Sequence, residues 1–249
     1  MNISLRRRGN FRVFLAILVS AQLCLDFSQA QTNQPNASAP TSPAPAHKIN
    51  FLPQTSGAAS VRVSGGSRGS GPETVALDVL APGEVGLTTQ DQPSLFWFQS
   101  KPANARFELT LLQDNKIKPL IDVKVERAAN AGIQRLKLAD QSVKLVPGVE
   151  YQWVVALITD PDNRSKDVVA SGVIKRIEPS ADLKEKLGQA DPASLPAVYA
   201  EAGIWYDALS VLSDQIDAHP DDQALRQTRA DLLRQVGLKK AAAAELANN

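Results

Sequence analysis

One cysteine, two histidines and one methionine are all that 249 residues contain of the sulfur and imidazole side chains, and aromatics make up only 5%. The single cysteine, Cys24, sits in the N-terminal apolar stretch, so no intrachain disulfide can form. His47 lies in a Pro-rich stretch that cannot hold an imidazole rigidly, and His219 precedes Pro220, where a ring favours a helix C-terminal dipole. Neither is placed for a paired-histidine zinc centre or as the base of a Ser-His-Asp triad. Excess charge of one sign is lacking too. A net charge of +1 produces no field that selects nucleic acid or an anionic membrane. The longest apolar stretch, Val13 to Leu25, is interrupted by Gln22 and is shorter than the roughly 20 residues a bilayer crossing takes.

What stands at the N-terminus is an export signal. Arg6, Arg7, Arg8 and Arg12 precede the apolar stretch, and Ser28-Gln29-Ala30 supplies small residues for cleavage after Ala30. Removal of residues 1–30 takes Cys24 with it, moves the net charge from +1 to −2, and leaves no membrane span. The expected location is the periplasm or the extracellular space, with the thylakoid lumen as a further compartment. Residues 31–50 are Pro, Ala, Ser, Thr, Asn and Gln with one apolar handhold, Ile49, and read as a linker that cannot repay the entropy of ordering.

From residue 51 to 179 the hydrophobic period is two. Strands are expected at Thr74 to Leu80, Ser94 to Gln99, Phe107 to Leu111, Ile121 to Val125, around Leu136 and Leu138, at Tyr151 to Leu157 and at Val168 to Ile177. Turn residues such as Ala81-Pro82-Gly83 and Pro147-Gly148 separate them. Seven short strands predict an all-β antiparallel sandwich of immunoglobulin or fibronectin-III type. At Glu178-Pro179-Ser180 the period changes to that of helices, expected at 181–189, 193–201, 205–218, 222–235 and 238–247. Asp191-Pro192 suits the start of the second. Gly203 and Ala208 recur 34 residues later as Gly237 and Ala242, the length of a tetratricopeptide repeat. Residues 180–249 hold about one and a half such repeats, too few for a superhelical array.

Few residues offer themselves as sites. In the acidic loop, Asp160, Asp162, Asn163 and Asp167 could supply four of the six to eight oxygens calcium takes. Arg164 and Lys166 bring positive charge into the same loop, which favours an Asx-stabilised turn instead. Gly65-Gly66-Ser67-Arg68-Gly69 lacks the Lys-Ser/Thr pair of a phosphate loop, so Arg68 is read as meeting a carboxylate or a carbonyl in a tight turn. Phe96-Trp97-Phe98 is either an exposed ledge for a glycan or, as rings in a sandwich more often are, core and sheet cover. Gly172 marks a bulge or a close backbone approach. In the repeat pattern Gly203 lets two helices approach, and Ala208 packs at their crossing.

Several blocks in order resemble the cyanobacterial family known as domain of unknown function 928. They are Gly65 to Gly69, Gly86-Leu87-Thr88, Pro93 to Phe98, Gly132-Ile133, Tyr151-Gln152-Trp153, Asp160 to Ser165, Gly172 to Arg176, and Tyr199 to Leu209 with its Gly203-Ile204-Trp205-Tyr206 centre. The resemblance spans most of residues 51–247 and implies a cyanobacterial, exported protein, without an activity, substrate or cofactor. Relatives are expected to carry cysteines just after Arg68-Gly69 and just before Asp160, where this chain has Ser70, Gly71 and Thr159, so any bridge between those positions is missing. The interaction or structural candidates are Arg68, Trp97, Trp153, Arg176, Gly203, Trp205, Tyr206 and Ala208. Two function classes follow. One is a non-enzymatic envelope protein whose helices contact a protein partner. The other is a carbohydrate-binding or hydrolytic module that uses exposed aromatics and carboxylates. Neither calls for a cofactor.

Overall fold

The computed structural model describes residues 48–54, 62–66, 75–103, 106–114, 116–125 and 130–247. The chain divides between Thr41 and Ser42, and every described residue belongs to the second unit. The expected export signal of residues 1–30, nearly all of the expected linker, and Arg68, Ser70 and Gly71 lie outside the described residues.

Nine strands form two sheets among the described residues. One has the order β1 (Gly65–Gly66), β2 (Ala76–Val79), β4 (Ser94–Gln99), β7 (Gly132–Lys137), with every neighbour antiparallel. The other has the order β3 (Gly86–Thr88), β9 (Val168–Arg176), β8 (Glu150–Ile158), β5 (Arg106–Gln113), β6 (Ile121–Val125). The seven alternating segments all become strands. β4 is buried along its whole length, so its unbroken Leu95-Phe96-Trp97-Phe98 run is covered on both faces.

The all-antiparallel expectation fails at one place, because β3 runs parallel to β9. β3 is reached from β2 by crossing to the other sheet through Ala81-Pro82-Gly83, so no hairpin imposes the opposite direction. Its three residues were also too short a run to show alternation. The sheets meet where β2 faces β9. A Cβ on Gly172 would lie 2.8 Å from Ala81 Cβ and 3.4 Å from Val79 Cγ2, so this glycine permits the close approach.

Five helices follow: α1 (Ala181–Gln189), α2 (Leu195–Glu201), α3 (Trp205–Ala218), α4 (Gln223–Gln235) and α5 (Lys239–Ala247). Ser180 caps α1 by accepting from the Leu183 amide, and Asp222 caps α4 by accepting from those of Ala224 and Leu225. Asp191 does not open α2. Its carboxylate accepts from the Ala193 and Ser194 amides in a turn, and the helix begins only at Leu195 with Pro196 in its first turn. A local Asx turn outcompetes the first helical turn there.

The 34-residue echo has a backbone basis. Gly203 (φ +71°) and Gly237 (φ +78°) both stand in the left-handed region just past a helix. Ile204 N–H bonds Tyr199 O and Gly203 N–H bonds Ala200 O; Leu238 N–H bonds Leu233 O and Gly237 N–H bonds Arg234 O. These are two copies of one glycine-terminated cap, each reversing the chain into the next helix. Arg229 and Glu245, both buried, tie α4 to α5: Arg229 Nη2 lies 2.7 Å from each carboxylate oxygen, and its Nη1 donates to Ser213 of α3. The apolar core is continuous from Leu77 on the strands to Ala242 on the last helix. No described helix is long and apolar enough to cross a membrane.

Candidate functional site

The first turn of α3 engages residues of β3, β8 and β9. Leu209 and Leu212 share a buried apolar stripe with Trp205, Ala208 and Ile216, and α3 packs against α2 and α4 as well as β3 and β4. Three consecutive residues then use polar atoms inside that contact. Trp205 Nε1 donates to Leu80 O at 2.8 Å. The Tyr206 hydroxyl accepts from Trp153 Nε1 at 2.9 Å and donates to Val173 O at 3.2 Å, which joins α3 to β8 and β9. A Cβ on Gly86 would come within 2.5 Å of the Tyr206 ring, so Gly86 keeps that space open. Burial pushes the tyrosine hydroxyl well above its ordinary pKa, and it stays a neutral donor.

Asp207 is the one carboxylate in this turn. It accepts from the hydroxyls of Thr88 and Thr89 and, at 2.9 Å, from the Thr89 amide. Burial raises its pKa, and the Thr88 and Thr89 bonds act in the opposite direction. The neighbouring Tyr199 hydroxyl is also raised, by burial and then by the charge of Asp207. Tyr199 and Asp207 border a cleft of about 310 Å³ between α3 and the four-stranded sheet. Of its two cations, Arg135 and Lys137, Arg135 is already engaged: it donates to Ser94 and Ser210, pairs with Asp214 at 2.5 Å, and lies 5.1 Å from the centre of the Phe96 ring.

A second arrangement lies on the helices. Residues 48–54 run extended across α2, α3 and α4. Phe51 N–H donates to Gln235 Oε1 at 2.7 Å, and Gln235 Nε2 donates to Ile49 O at 3.0 Å. Leu52 N–H bonds Ala200 O at 3.1 Å, and Gln54 Nε2 donates to Ala202 O at 2.7 Å. Phe51 meets Trp205 edge to face at 5.0 Å. Gly203 serves this contact, since a Cβ there would lie 2.6 Å from Leu52 O.

Of the residues singled out in the sequence, Trp153, Trp205 and Tyr206 converge at the junction of α3 with the sheets, Ala208 is fully buried on α3, and Gly203 borders the extended segment. Trp97 is elsewhere, buried against Phe107 with its ring N–H unpaired. Arg176 donates to Leu145 O at 3.1 Å and approaches Glu178 at 3.4 Å, closing the end of β9. In the acidic loop, Asp160 pairs with Lys166 and Asp167 with Arg164, while the Asp162 amide donates to Asp160 Oδ1 in an Asx turn. Hydrogen bonding from Lys166 holds the Asp160 carboxyl below its usual range. The loop's own cations thus occupy two of the four calcium candidates, and no cluster of three or more metal-binding side chains occurs among the described residues. Asp207, Thr88, Thr89, Ile49, Phe51 and Gln235 were not foreseen as a set. Asp207 had a signal, a carboxylate inside the buried run Trp205 to Leu209. Gln235 had none, because an amide at a helix end is ordinary until its partner is known.

Two antiparallel-rich sheets with five helices locked on through α3 define a sheet-rich scaffold carrying paired helices. The chain belongs to the family described as Domain of Unknown Function (DUF928), which matches residues 63–246. Comparison with curated proteins gives no match. The matched span includes the α3 junction and the whole helical surface, and residues 48–54 precede it.

Proposed function

We propose that this is an exported, non-enzymatic protein of a cyanobacterial envelope that binds a protein partner through its helices. In this reading the two sheets are a sandwich of immunoglobulin or fibronectin-III kind that acts as scaffold. The α2–α3 and α4–α5 pairs are tetratricopeptide-like hairpins. The N-terminal arginine and apolar pattern of residues 1–30 supports export to the periplasm, the extracellular space or the thylakoid lumen. The two matched glycine caps support the repeat reading.

One observation carries the partner reading: the helical surface already holds an extended polypeptide, residues 48–54, through backbone hydrogen bonds and two buried side chains. The carbohydrate alternative loses the platform it relied on, since Trp97, Trp153 and Trp205 are all buried and cannot stack on a sugar. A photoreactive residue introduced at exposed Asp217 or Arg234 on the helices should capture a protein from envelope extract. The same group at Ile117, exposed on the β5–β6 hairpin, should capture none. Capture from Ile117 alone, or from no position, refutes the reading.

A further inference from the structure

We infer that the surface formed by α2, α3 and α4 is a binding groove for extended peptides with apolar side chains two residues apart, and that residues 48–54 are its tethered resident. The inference rests on the interaction reading above and names the class of partner segment.

The recognition has two parts. The first reads backbone. The Gln235 amide group behaves as a neighbouring strand would, donating to Ile49 O and accepting from Phe51 N–H, the groups on either side of Asn50. A further bond from Gln235 Nε2 to Asp231 O, one turn back on α4, orients the amide. Ala200, at the C-terminal end of α2, offers its carbonyl to Leu52 N–H. None of these contacts depends on the identity of the bound side chains. The second part reads sequence. Ile49 and Phe51 are buried while Lys48, Asn50 and Leu52 are exposed, the in-and-out alternation of an extended strand. Ile49 faces Pro196, Ala197, Leu212 and Leu225, a socket for an aliphatic side chain, and Phe51 meets the edge of Trp205. The code is therefore aliphatic, any residue, aromatic.

The groove is distinct from its resident. Ala200, Gly203, Trp205 and Gln235 all fall within the family match of residues 63–246, and residues 48–54 fall outside it. The domain proper thus builds the groove, and an added segment fills it in cis. Covalent attachment to the domain raises the local concentration of the resident to the order of millimolar, so a partner segment must outcompete it.

The test uses the full chain and a fluorescent synthetic peptide of sequence Lys48 to Gln54. Wild type should bind it weakly. The double variant Ile49→Ser/Phe51→Ser, with its resident unanchored, should bind roughly tenfold more tightly or better, as loss of a competitor near millimolar concentration implies. Adding Gln235→Ala should abolish that gain. A peptide with Asn50→Ala should bind as well as the parent, and one with Ile49→Ser and Phe51→Ser should not bind. No binding to the folded double variant, or equal binding of a scrambled peptide, overturns the inference. If the double variant does not fold, hydrogen exchange on wild type decides. The Phe51 and Leu52 amides should exchange through local opening, faster than the core of α3, and exchange only on global unfolding overturns the inference. Failure here with capture retained at Asp217 or Arg234 removes the groove and leaves the interaction reading standing; loss of both removes that reading too.

Discussion

Replacing Tyr206 by phenylalanine removes one oxygen atom from the junction of helices and sheets and isolates what the hydroxyl contributes. In the wild type that oxygen accepts from Trp153 Nε1 at 2.9 Å and donates to Val173 O at 3.2 Å, and both Tyr206 and Trp153 are inaccessible to solvent. Phenylalanine fills nearly the same space, so the loss is polar. The indole N–H is left buried without an acceptor, and the Val173 carbonyl loses a donor. The buried indole left unpaired costs about 1–3 kcal/mol, and the bond lost by the part-buried Val173 carbonyl adds about 0.5–1.5 kcal/mol, giving about 2–4 kcal/mol for Tyr206→Phe. For a chain of this size that corresponds to a fall in melting temperature of about 5–15 °C. Urea unfolding followed by tryptophan fluorescence suits the measurement, since Trp153 reports on the sheets and Trp205 on the helices. Because one apolar core runs through both, fluorescence and far-ultraviolet circular dichroism should show one coincident transition in both proteins. A double-mutant cycle with Trp153→Phe should return a coupling of about 0.5–3 kcal/mol. Two separated transitions, or a Tyr206→Phe protein within about 0.5 kcal/mol of wild type, would refute the reasoning that this hydroxyl joins α3 to β8 and β9.

Other perturbations separate the remaining contacts. Gly237→Ala meets only the left-handed backbone penalty of about 1–2 kcal/mol, since the nearest atom to a Cβ there is Arg62 Nη2 at 3.8 Å. Gly203→Ala adds a clash at 2.6 Å with Leu52 O, so it should cost more and hasten exchange of the Phe51 and Leu52 amides; equal costs would count against the close approach. Glu245→Ala strands the buried Arg229 and should cost about 3–5 kcal/mol in denaturant unfolding, whereas Arg229→Met with Glu245→Leu should be near neutral or stabilising. Asp207→Asn tests the buried carboxyl through pH. A carboxyl raised on folding adds stability while protonated and loses it as pH rises through the folded pKa, so the advantage of wild type over Asp207→Asn should shrink as pH climbs above the usual carboxylate range. An advantage that grows with pH would mean that the Thr88 and Thr89 donors outweigh burial.

Much of this molecule is local. The strands β4, β6, β8 and β9 and the helices α1 and α3 fall where period and caps placed them, because alternate burial and a 3.6-residue stripe are written in consecutive residues. The repeat of Gly203 at Gly237 was legible for the same reason, as each glycine occupies a left-handed cap just past its own helix. The parallel pairing of β3 was not, since direction is set by which sheet the chain crosses to and not by three residues. Nor could the buried state of Phe96, Trp97 and Phe98 be separated from an exposed ledge, because the same run suits a strand open to solvent or one covered on both faces.

What the sequence alone determined is the order and kind of most of the elements, the apolar stripe that buries one side of α3, and the scarcity of cysteine and histidine. Tertiary structure alone decided which side chains meet. Trp153 and Tyr206 stand 53 residues apart, and Phe51 and Gln235 184 apart, and each pair shares a hydrogen bond. Such bonds carry no mark along the chain, since an amide, a hydroxyl or a carboxylate is the same residue whether it faces water or a buried donor. Only packing, by removing the water, makes the partner necessary.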